Sequence, residues 1–365
     1  MRLLETLFIP ALLCAGCGAG KSGDGGLPQD AGSPADLAGT CIGATDGDGG
    51  SSHPSMTLPI VTKQHLDQAH GSIEVPFHVP SGCWASIKVE MNVTSDCSGK
   101  PPAGQNWSAA CDPYDRLAQV WINDLGKTPL FVLDAVTSFG GTTHWEQDVT
   151  DYLSAIEGDH TWHIEVGTYA DPNGKATGTA SSHDVDVNIT LIPGIPPRKV
   201  LSALPLFRTG ISDPKPLTAS FAAPANATHG RLDYYMSGHG GNPDPKLGGA
   251  PCDEFCQREN DLKVDGKSVY ADSPTSDCSD NCTQVPIKGM ISCGNQSFGY
   301  ICKQNPTSCP SSAVAPRSNW CPSQIIAPIA INLPASAITA GMHTIELQIP
   351  DVHGTWSIGL SAVFY

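Results

Sequence analysis

Alternating hydrophobic and polar positions run through most of the sequence after residue 57. Because side chains along a strand point in turn to its two faces, period two predicts strands with one buried face. The two runs nearest the C-terminus flank a turn at residues 351–354, and a shorter one covers residues 231–236. The alternating apolar positions are Ile73, Val75, Phe77 and Val79; Ile87, Val89, Met91 and Val93; Val185, Val187, Ile189 and Leu191; Ile345, Leu347 and Ile349; and Trp356, Ile358, Leu360, Ala362 and Phe364.

The alternation is interrupted near residue 195. Residues 193–197 are Pro-Gly-Ile-Pro-Pro, a run of rigid turn formers that predicts a domain boundary. We therefore expect an all-β chain with an N-terminal domain at 58–195 and a C-terminal domain at 196–365, each an antiparallel sandwich or jelly roll. Residues 250–323 hold eight cysteines and little periodicity, and they predict an insertion of long loops held by disulfides.

The first 17 residues have the form of an export signal. One Arg and an apolar stretch over residues 7–13 precede small residues and Cys17. The pattern is similar to a bacterial lipoprotein signal, which is cut before a cysteine that receives the lipid. The stretch is too short to span a bilayer, so we expect an exported protein with lipidation at Cys17, anchored at the outer membrane or cell surface. An ordinary secretory signal cut nearby and a mis-set start codon are the alternatives.

Composition changes this picture in two ways. Residues 18–57 are nearly free of aromatic and branched apolar side chains, which predicts a flexible tether. The chain has 36 acidic and 20 basic residues, a net charge of -16, and no concentrated run of Lys and Arg. Because binding to phosphates needs such positive charge, nucleic acid is excluded as an expected partner.

The cysteines indicate disulfides. Removing Cys14 with the signal and using Cys17 for lipid leaves twelve, an even number, in an oxidising compartment. The Cys-x-x-x-Cys spacings at 252–256 and 278–282 also allow metal pairs, but structural zinc sites favour other spacings and reducing compartments.

Four polar clusters lie beside predicted strands or among the cysteines. They are residues 111–116 with Asp112, Asp115 and Arg116; residues 236–241 with His239; residues 252–256 with Glu254; and residues 315–322 with Arg317 and Trp320. An Asp beside an Arg can stay ionised and accept a proton, and Arg with Trp suits sugar recognition. A short disulfide loop would fix the direction of Glu254, and glycines around His239 allow close approach of a ligand. Each cluster also has a purely structural interpretation: a salt-bridged turn, a stapled loop, a turn histidine and an Arg stacked on Trp.

Together and in this order, the motifs resemble the peptide-N-glycosidase F family, bacterial amidases that remove asparagine-linked glycans. The resemblance covers about residues 58–365. It rests on Cys-Asp-x-x-Asp-Arg at 111–116, Asp-Val-Thr-Asp at 148–151, Ser237-Gly238 with His239, Cys252-x-Glu254-Phe255-Cys256, and Arg317 with Trp320-Cys321-Pro322. It implies two eight-stranded antiparallel jelly rolls packed side by side, with the site in the groove between them.

The resemblance also implies roles for single residues. Asp115 corresponds to the family's essential catalytic Asp, Arg116 to the Arg beside it, and Glu254 to a second important carboxylate. The implied substrate-binding residues are Arg317, Trp320, His239, Tyr169, Glu165 and Asp112. The implied disulfides are Cys97 with Cys111, Cys252 with Cys256, and Cys309 with Cys321.

One position departs from the family pattern. Gly167 stands where the family has a third acidic residue, and Glu165, on the same face of that strand, is the candidate replacement. Tyr169 stands in place of a Trp and keeps a stacking surface. The departure bears on rate and substrate range more than on reaction class.

The implied reaction is hydrolysis of the amide between the innermost N-acetylglucosamine and Asn, giving Asp and a glycosylamine. An amide is a poor electrophile, so Asp115 is expected to act as base or proton shuttle. Glu254 and Arg116 then orient water and sugar, and Arg317 stabilises charge. We expect a monomer that acts on N-glycans of glycoproteins or glycopeptides without metal or organic cofactor. The alternatives are a glycan-binding lipoprotein that has lost turnover and, by fold analogy, a copper monooxygenase, for which the sequence lacks His-rich ligand spacing.

Overall fold

A computed structural model describes residues 55–244 and 250–365. The predicted signal, Cys17 and nearly all of the predicted tether lie outside these residues. The first strand begins at Met56, just within the span predicted as tether. In the part of the chain that is described, no helix is both long and apolar enough to cross a membrane.

The first eight strands form two four-stranded antiparallel sheets. They are β1 (Met56–Asp67), β2 (Ser72–Val79), β3 (Trp84–Ser95), β4 (Leu117–Ile122), β5 (Leu130–Val136), β6 (Gly141–Asp148), β7 (Gly158–Val166) and β8 (Ser182–Pro193), with a one-turn helix α1 (Thr150–Leu153) after β6. Neighbours are β1-β8-β3-β6 in one sheet and β2-β7-β4-β5 in the other. Two facing sheets of this order form an antiparallel jelly roll.

The predicted alternation explains how these sheets face each other. In β3, Ile87, Val89, Met91 and Val93 are at most 1% exposed, while the residues between them lie on the solvent side. Strand β8 pairs with β3 in a register that places Val89 opposite Ile189. The core of this jelly roll contains buried residues from both sheets, so each sheet contributes one apolar face to it.

The second half of the chain repeats the architecture. Its strands are β9 (Ser202–Ile211), β10 (Leu217–Ala222), β11 (Gly230–His239), β12 (Pro243–Asp244), β13 (Ala250–Pro251), β14 (Asn260–Val264), β15 (Lys267–Asp272), β16 (Gln284–Cys293), β17 (Gln296–Cys302), β18 (Ile329–Asn332), β19 (Met342–Gln348) and β20 (Thr355–Phe364), with α2 (Cys252–Phe255), α3 (Pro310–Ala313) and 3-10 turns at Ser279–Asn281 and Ala335–Ala337. The sheets are β18-β11-β20-β9 and β10-β19-β14-β15. The order matches that of the first jelly roll once the inserted pairs β12-β13 and β16-β17 are set aside. The all-β, two-jelly-roll prediction is confirmed.

The expectation of long loops throughout 250–323 is wrong where strands β14, β15, β16 and β17 lie. Strands β14 and β15 are core strands of the second jelly roll and bury Leu262 and Val264. They are joined at Asp265-Gly266, whose φ angles of 48° and 74° are both positive. An Asp-Gly pair between two short strands favours this hairpin turn. A five-residue strand carries too few alternating positions to stand out without that signal.

Two of the three disulfides implied by resemblance are confirmed, Cys97–Cys111 and Cys252–Cys256. The pairing of Cys309 with Cys321 is wrong. Cys321 bonds Cys278, and the two segments also meet at an antiparallel bridge between Ser276 and Arg317. Cys309, at the start of α3, bonds Cys293 at the end of β16, and a fifth bond joins Cys282 with Cys302. Cys83 is disulfide-bonded as well.

The two jelly rolls meet through β5 of the first and β9, β11 and β20 of the second. Phe131 stacks on Tyr235 with ring centroids 5.5 Å apart. A Cβ atom at Gly359 would lie 2.9 Å from the Phe131 ring, so only glycine allows this contact. Residues 323–326 pair along β5, with Val136 donating to the Gln324 carbonyl and Ile326 to that of Asp134. The second half of the chain thereby extends a sheet of the first.

Candidate active site

Asp115 lies in the loop that leads into β4. The loop is closed at one end by the Cys97–Cys111 disulfide and at the other by Arg116, whose N–H donates to Thr137 Oγ1 at 2.8 Å and whose carbonyl accepts from Thr137 N–H at 2.8 Å. Carboxylate oxygen Oδ2 of Asp115 is buried and has no hydrogen-bond partner among the described residues. A buried, unpartnered carboxyl oxygen is costly, and such groups are typical of functional sites.

The pKa of Asp115 is raised to about 6, chiefly by burial. The charge of Glu254 also raises this pKa, whereas Arg317 and, more weakly, Arg116 lower it. Arg317 and Glu254 come from the second jelly roll, so charges from both halves of the chain act on this one carboxyl group. A carboxylate with a pKa near neutrality is suited to general acid–base catalysis.

Arg116 is oriented by Asp112. Its Nε donates to Asp112 Oδ2 at 2.8 Å and its Nη2 to Oδ1 at 3.0 Å, a bidentate pair. Asp112 is fully buried and also accepts from Thr168 Oγ1 at 2.9 Å. The structure therefore makes Asp112 an internal anchor for Arg116, and leaves it no exposed atom with which to contact a substrate as the resemblance implied.

Glu254 is held on α2 by three separate constraints. The Cys252–Cys256 disulfide closes the turn, the Glu254 carbonyl accepts from Ser318 N–H at 2.9 Å, and its N–H donates to the Gly240 carbonyl at 3.2 Å. The adjacent Asp253 is fully buried; it pairs with Arg258 at 3.1 Å and accepts the backbone N–H groups of His353 and Gly354. The helix is thus fixed from both sides.

The glycines before α2 serve the protein's own packing. A Cβ atom at Gly238 would collide with the Asp253 carbonyl oxygen and lie 2.9 Å from the Trp356 ring. The close approach suggested for a ligand is made instead by the backbone of α2. His239 lies against Trp320 with ring centroids 4.9 Å apart, and its Nε2 is 2.8 Å from Ser237 Oγ. Burial and then Arg317 lower its pKa to about 4, so the ring is neutral.

Arg317 links the second-domain part of the site. Its side chain is 1% exposed, and its Nε donates to Glu254 Oε1 at 3.2 Å. The guanidinium lies 5.0 Å from the Phe255 ring centroid and 4.7 Å from that of Trp320. Trp320 is 3% exposed and donates from Nε1 to the Gly238 carbonyl at 2.8 Å. Trp320 supports Arg317 from the interior, and its ring is not open for stacking on a sugar.

The structure separates Glu165 from this cluster. Gly167 pairs with Leu117 at the start of β4. Glu165 pairs with Gln119, which lies two residues further along β4 from Asp115. The Glu165 carboxylate lies 3.7 Å from Arg208 and 3.6 Å from His163. These contacts hold the Glu165 carboxylate away from the position that Gly167 leaves open.

Tyr169 and Gly167 border open space. The Tyr169 side chain is 47% exposed, and it follows Thr168, which bonds the Asp112 anchor. A Cβ atom added at Gly167 would have no heavy atom within 4 Å. The surface next to Asp115 can therefore accept a ring against Tyr169 and extra volume at Gly167.

Within residues 55–244 and 250–365, no group of three or more His, Cys, Asp or Glu side chains is arranged to hold a metal ion. The copper hypothesis depends on a ligand set of that kind and gains no support there.

Sequence reasoning missed the residues that position the cluster. Asp253, Arg258, Thr137 and Ser318 act largely through contacts that are distant along the chain and that no local pattern reveals, such as Thr137 with Arg116 and Ser318 with Glu254. A signal was present for Asp253, an acidic residue beside Glu254 inside the short Cys252–Cys256 disulfide loop. 

Known proteins are similar to this chain in part of its sequence and in its fold. Residues 208–360 match the sequence model of the C-terminal domain of peptide-N-glycosidase F. No curated protein sequence matches the chain. The fold is similar to a crystal structure of peptide-N(4)-(N-acetyl-beta-D-glucosaminyl) asparagine amidase, with TM-score 0.64 and 17% identity over 85% of this chain and 96% of that one.

Two further solved structures are alike at similar identity. PNGase F from Flavobacterium meningosepticum, described as a glycosylasparaginase, gives TM-score 0.63 and 18% identity, with 85% of this chain and 96% of that one covered. PNGF-II gives TM-score 0.63 and 18% identity, and 85% of this chain covers only 65% of its length. In the sequence of residues 208–360 and in the fold of both jelly rolls, the chain is similar to peptide-N-glycosidase F.

Proposed function

We propose that the chain is an amidase that cleaves the bond between Asn and the innermost N-acetylglucosamine of an N-glycan. The observation that carries the proposal is the Asp115 carboxyl: one oxygen is buried without a partner, and its charge is tuned by Arg317 and Glu254 from the other jelly roll. The similarity to peptide-N-glycosidase F supports the reaction class. The substrate would bind between the jelly rolls, where these groups meet.

In this mechanism Asp115 takes a proton from the attacking water or shuttles it to the leaving nitrogen. Its raised pKa keeps the carboxylate basic enough to do so. Glu254, fixed on α2, orients water and sugar, and the buried Arg317 stabilises the developing oxyanion through its charge, without contacting the substrate. Arg116, held by Asp112, stabilises the ionised form of Asp115.

A non-catalytic glycan-binding protein is the second candidate, favoured by Gly167 at the place of a third acidic residue. The retention of Asp115, Glu254 and Arg317 in one electrostatically coupled cluster favours catalysis. A binder has no need of a buried carboxylate with an unpartnered oxygen.

The direct test incubates the mature protein with an N-glycopeptide and analyses both products by mass spectrometry. Release of the whole glycan with conversion of Asn to Asp supports the amidase. Release that leaves one N-acetylglucosamine on Asn indicates an endoglycosidase and contradicts the proposal. Binding of the glycopeptide without release, over a broad range of pH and glycans, supports the binding protein.

The pH dependence follows from the Asp115 pKa. Because burial raises it from 3.8 to about 6, the carboxylate form that acts as base is present mainly above pH 6. We expect kcat/KM to rise between about pH 5 and 7 with an apparent pKa near 6. Initial rates with one glycopeptide across this range measure it. An ascending limb centred near pH 4 would contradict the role of Asp115 as base.

Gly167 allows a gain-of-function test. A side chain fits at this position, since nothing lies within 4 Å of an added Cβ atom. We expect Gly167→Glu to raise kcat by about tenfold or more, because a positioned acid or base typically contributes at least that factor. Gly167→Gln is the matched control for size. Equal rates in the two variants and the wild type would show that the third carboxylate is dispensable here.

We further propose that residues 1–17 direct export and that a lipid is attached at Cys17. A tether then extends to about residue 57, and a domain boundary lies near residue 195. The five described disulfide bonds support an extracellular or envelope location, because such bonds persist in oxidising compartments. Metabolic labelling with a fatty acid, compared between wild type and Cys17→Ser, tests the anchor. A monomeric state is proposed alongside and is tested by light scattering.

A further inference from the structure

The cysteine-rich segment of the second jelly roll reaches the loop that carries Asp115. Thr307 Oγ1 donates a hydrogen bond of 2.6 Å to the carbonyl oxygen of Pro113, two residues before Asp115. Pro113 is buried. This bond crosses from the second half of the chain to the first at the site itself.

Thr307 has little freedom to move. Its N–H donates to the Phe139 carbonyl at 3.1 Å, and Phe139 N–H donates to Asn305 Oδ1 at 3.0 Å. A Cβ atom at Gly140 would lie 2.6 Å from Thr307 Cγ2, so the threonine packs directly on glycine backbone there. The hydroxyl is therefore aimed at Pro113 by contacts on both of its sides.

The base of this contact is rigid. Asn305 is fully buried and donates from Nδ2 to the Asn281 carbonyl at 3.1 Å. The Cys282–Cys302 and Cys293–Cys309 bonds close the chain on either side of it. Cys278–Cys321 ties the same segment to the stretch that carries Arg317.

The Asp115 loop is thus held at two points by different halves of the chain. Thr137, of the first jelly roll, binds the backbone of Arg116, and Thr307 binds that of Pro113. Asp115 lies between these points, and Glu254 and Arg317, which act on it, belong to the same half of the chain as Thr307. The Thr307 bond consequently couples the place of Asp115 to that of its charged partners.

We propose that Thr307 is a positioning residue for the reaction, which sets the placement of Asp115 relative to Glu254 and Arg317. The proposal rests on the proposed amidase function. A shift of the reacting groups by a fraction of an ångström is enough to slow a reaction, because catalysis depends on alignment. Removing the hydroxyl should therefore affect turnover more than substrate binding.

The experiment compares Thr307→Val, which keeps the shape and removes the donor, with Thr307→Ser, which restores it. We expect Thr307→Val to lower kcat by about tenfold with KM changed less than about twofold, and Thr307→Ser to recover most of the rate. Thr339→Val is the control, since Thr339 Oγ1 makes a similar bond of 2.8 Å to the Ser336 carbonyl on the exposed surface. Melting temperatures of all variants report whether stability changes alone.

A second readout does not depend on activity. The Asp115 carboxyl is titrated by carbon-13 NMR, with its signal assigned by its loss in Asp115→Asn. We expect Thr307→Val to move this titration toward the ordinary value for Asp, because a loosened loop exposes the carboxyl to water. Unchanged kcat and unchanged titration overturn the positioning role, as does an equal effect of Val and Ser. If the wild type releases no glycan, the amidase proposal fails, while the titration still decides whether Thr307 positions Asp115.

Discussion

Asp115→Asn is expected to lower kcat for hydrolysis of the glycan–Asn amide by at least about 10³-fold while glycan affinity stays within a few-fold of wild type. The amide side chain of Asn has nearly the shape of the carboxylate and cannot take a proton, so the substitution removes the base and leaves the groove intact. Loss of a positioned acid–base group typically costs about 10² to 10⁴ in rate. This is the largest change in rate that we predict for a single residue.

The measurement combines initial rates on a glycopeptide with calorimetric titration of the same ligand. Asp159→Asn is the matched control, because Asp159 is the second residue of β7, at the end of the strand opposite to Val166, and its side chain is 91% exposed. Substantial turnover in Asp115→Asn would assign the base to another group, with Glu254 the next candidate. Loss of binding together with turnover would make Asp115 a recognition residue.

Asp115→Asn is expected to lower the rate of hydrolysis but to raise the stability of the folded protein near neutral pH. A rise of the Asp115 pKa from 3.8 to about 6 means that folding disfavours the charged form, by at most about 3 kcal/mol. The free energy of unfolding of the wild type therefore falls by this amount as pH rises from about 4 through 6 and Asp115 ionises. The Asn side chain does not ionise, so the variant shows no such fall. Asp115→Asn should be more stable than wild type at pH 7.5, with the difference vanishing near pH 4. Denaturant unfolding at both pH values measures it, and a difference that is the same at both would contradict the assigned pKa.

The fold was largely predictable because many strands, such as β3 and β8, alternate buried and more exposed residues and bury one face in the core. Period two is a local property, so runs such as Ile87 to Val93 and Trp356 to Phe364 specify their strands without further information. The pairing of the strands needed more. Their order in the sheets joins strands distant in sequence, such as β1 with β8, and it was anticipated through the family resemblance.

The second half of the chain contains features that the local sequence pattern did not predict. Strand β14 has only five residues and lies among cysteines that suggested loops, although its Asp265-Gly266 turn was visible in the sequence. The Cys278–Cys321 bond joins two segments that also meet at the bridge between Ser276 and Arg317, a contact that only the folded chain reveals. Spacing of cysteines alone permits many pairings, so this part could not be derived.

The candidate active site was likewise predictable only in part. Short motifs indicated Asp115, Glu254 and Arg317, and the structure brings these three groups together. The burial of two other candidates, Trp320 and Asp112, was not predictable. Both side chains lie in the interior and support their neighbours, although their chemistry suggested substrate contact. A motif identifies chemical groups, whereas their accessibility depends on packing between distant segments.

Arg317→Met is expected to lower kcat/KM by at least about 10²-fold and the free energy of unfolding by about 3 kcal/mol. Met fills the space between Phe255 and Trp320 but leaves Glu254 without its cation, and breaking a mostly buried ion pair from one side costs about this much. Arg317→Lys should recover part of the stability and little activity, since one ammonium cannot serve Glu254 Oε1, the Ala315 carbonyl and Ser312 Oγ as the guanidinium does. Glycopeptide kinetics and denaturant unfolding measure both effects, and full activity in Arg317→Lys would mean that charge alone suffices.

The double variant Arg317→Met with Glu254→Gln separates two ways in which Arg317 can act. If Arg317 works by holding Glu254, the effects of the two substitutions on kcat/KM overlap, and the double variant is little worse than the more damaging single one. If Arg317 acts on Asp115 and the developing oxyanion in its own right, the losses multiply. Arg317 lowers the pKa of Asp115 independently of its bond to Glu254. We therefore expect partial overlap, with the ascending limb of the pH profile moved to higher pH in Arg317→Met and moved to lower pH in Glu254→Gln, because Glu254 raises the same pKa.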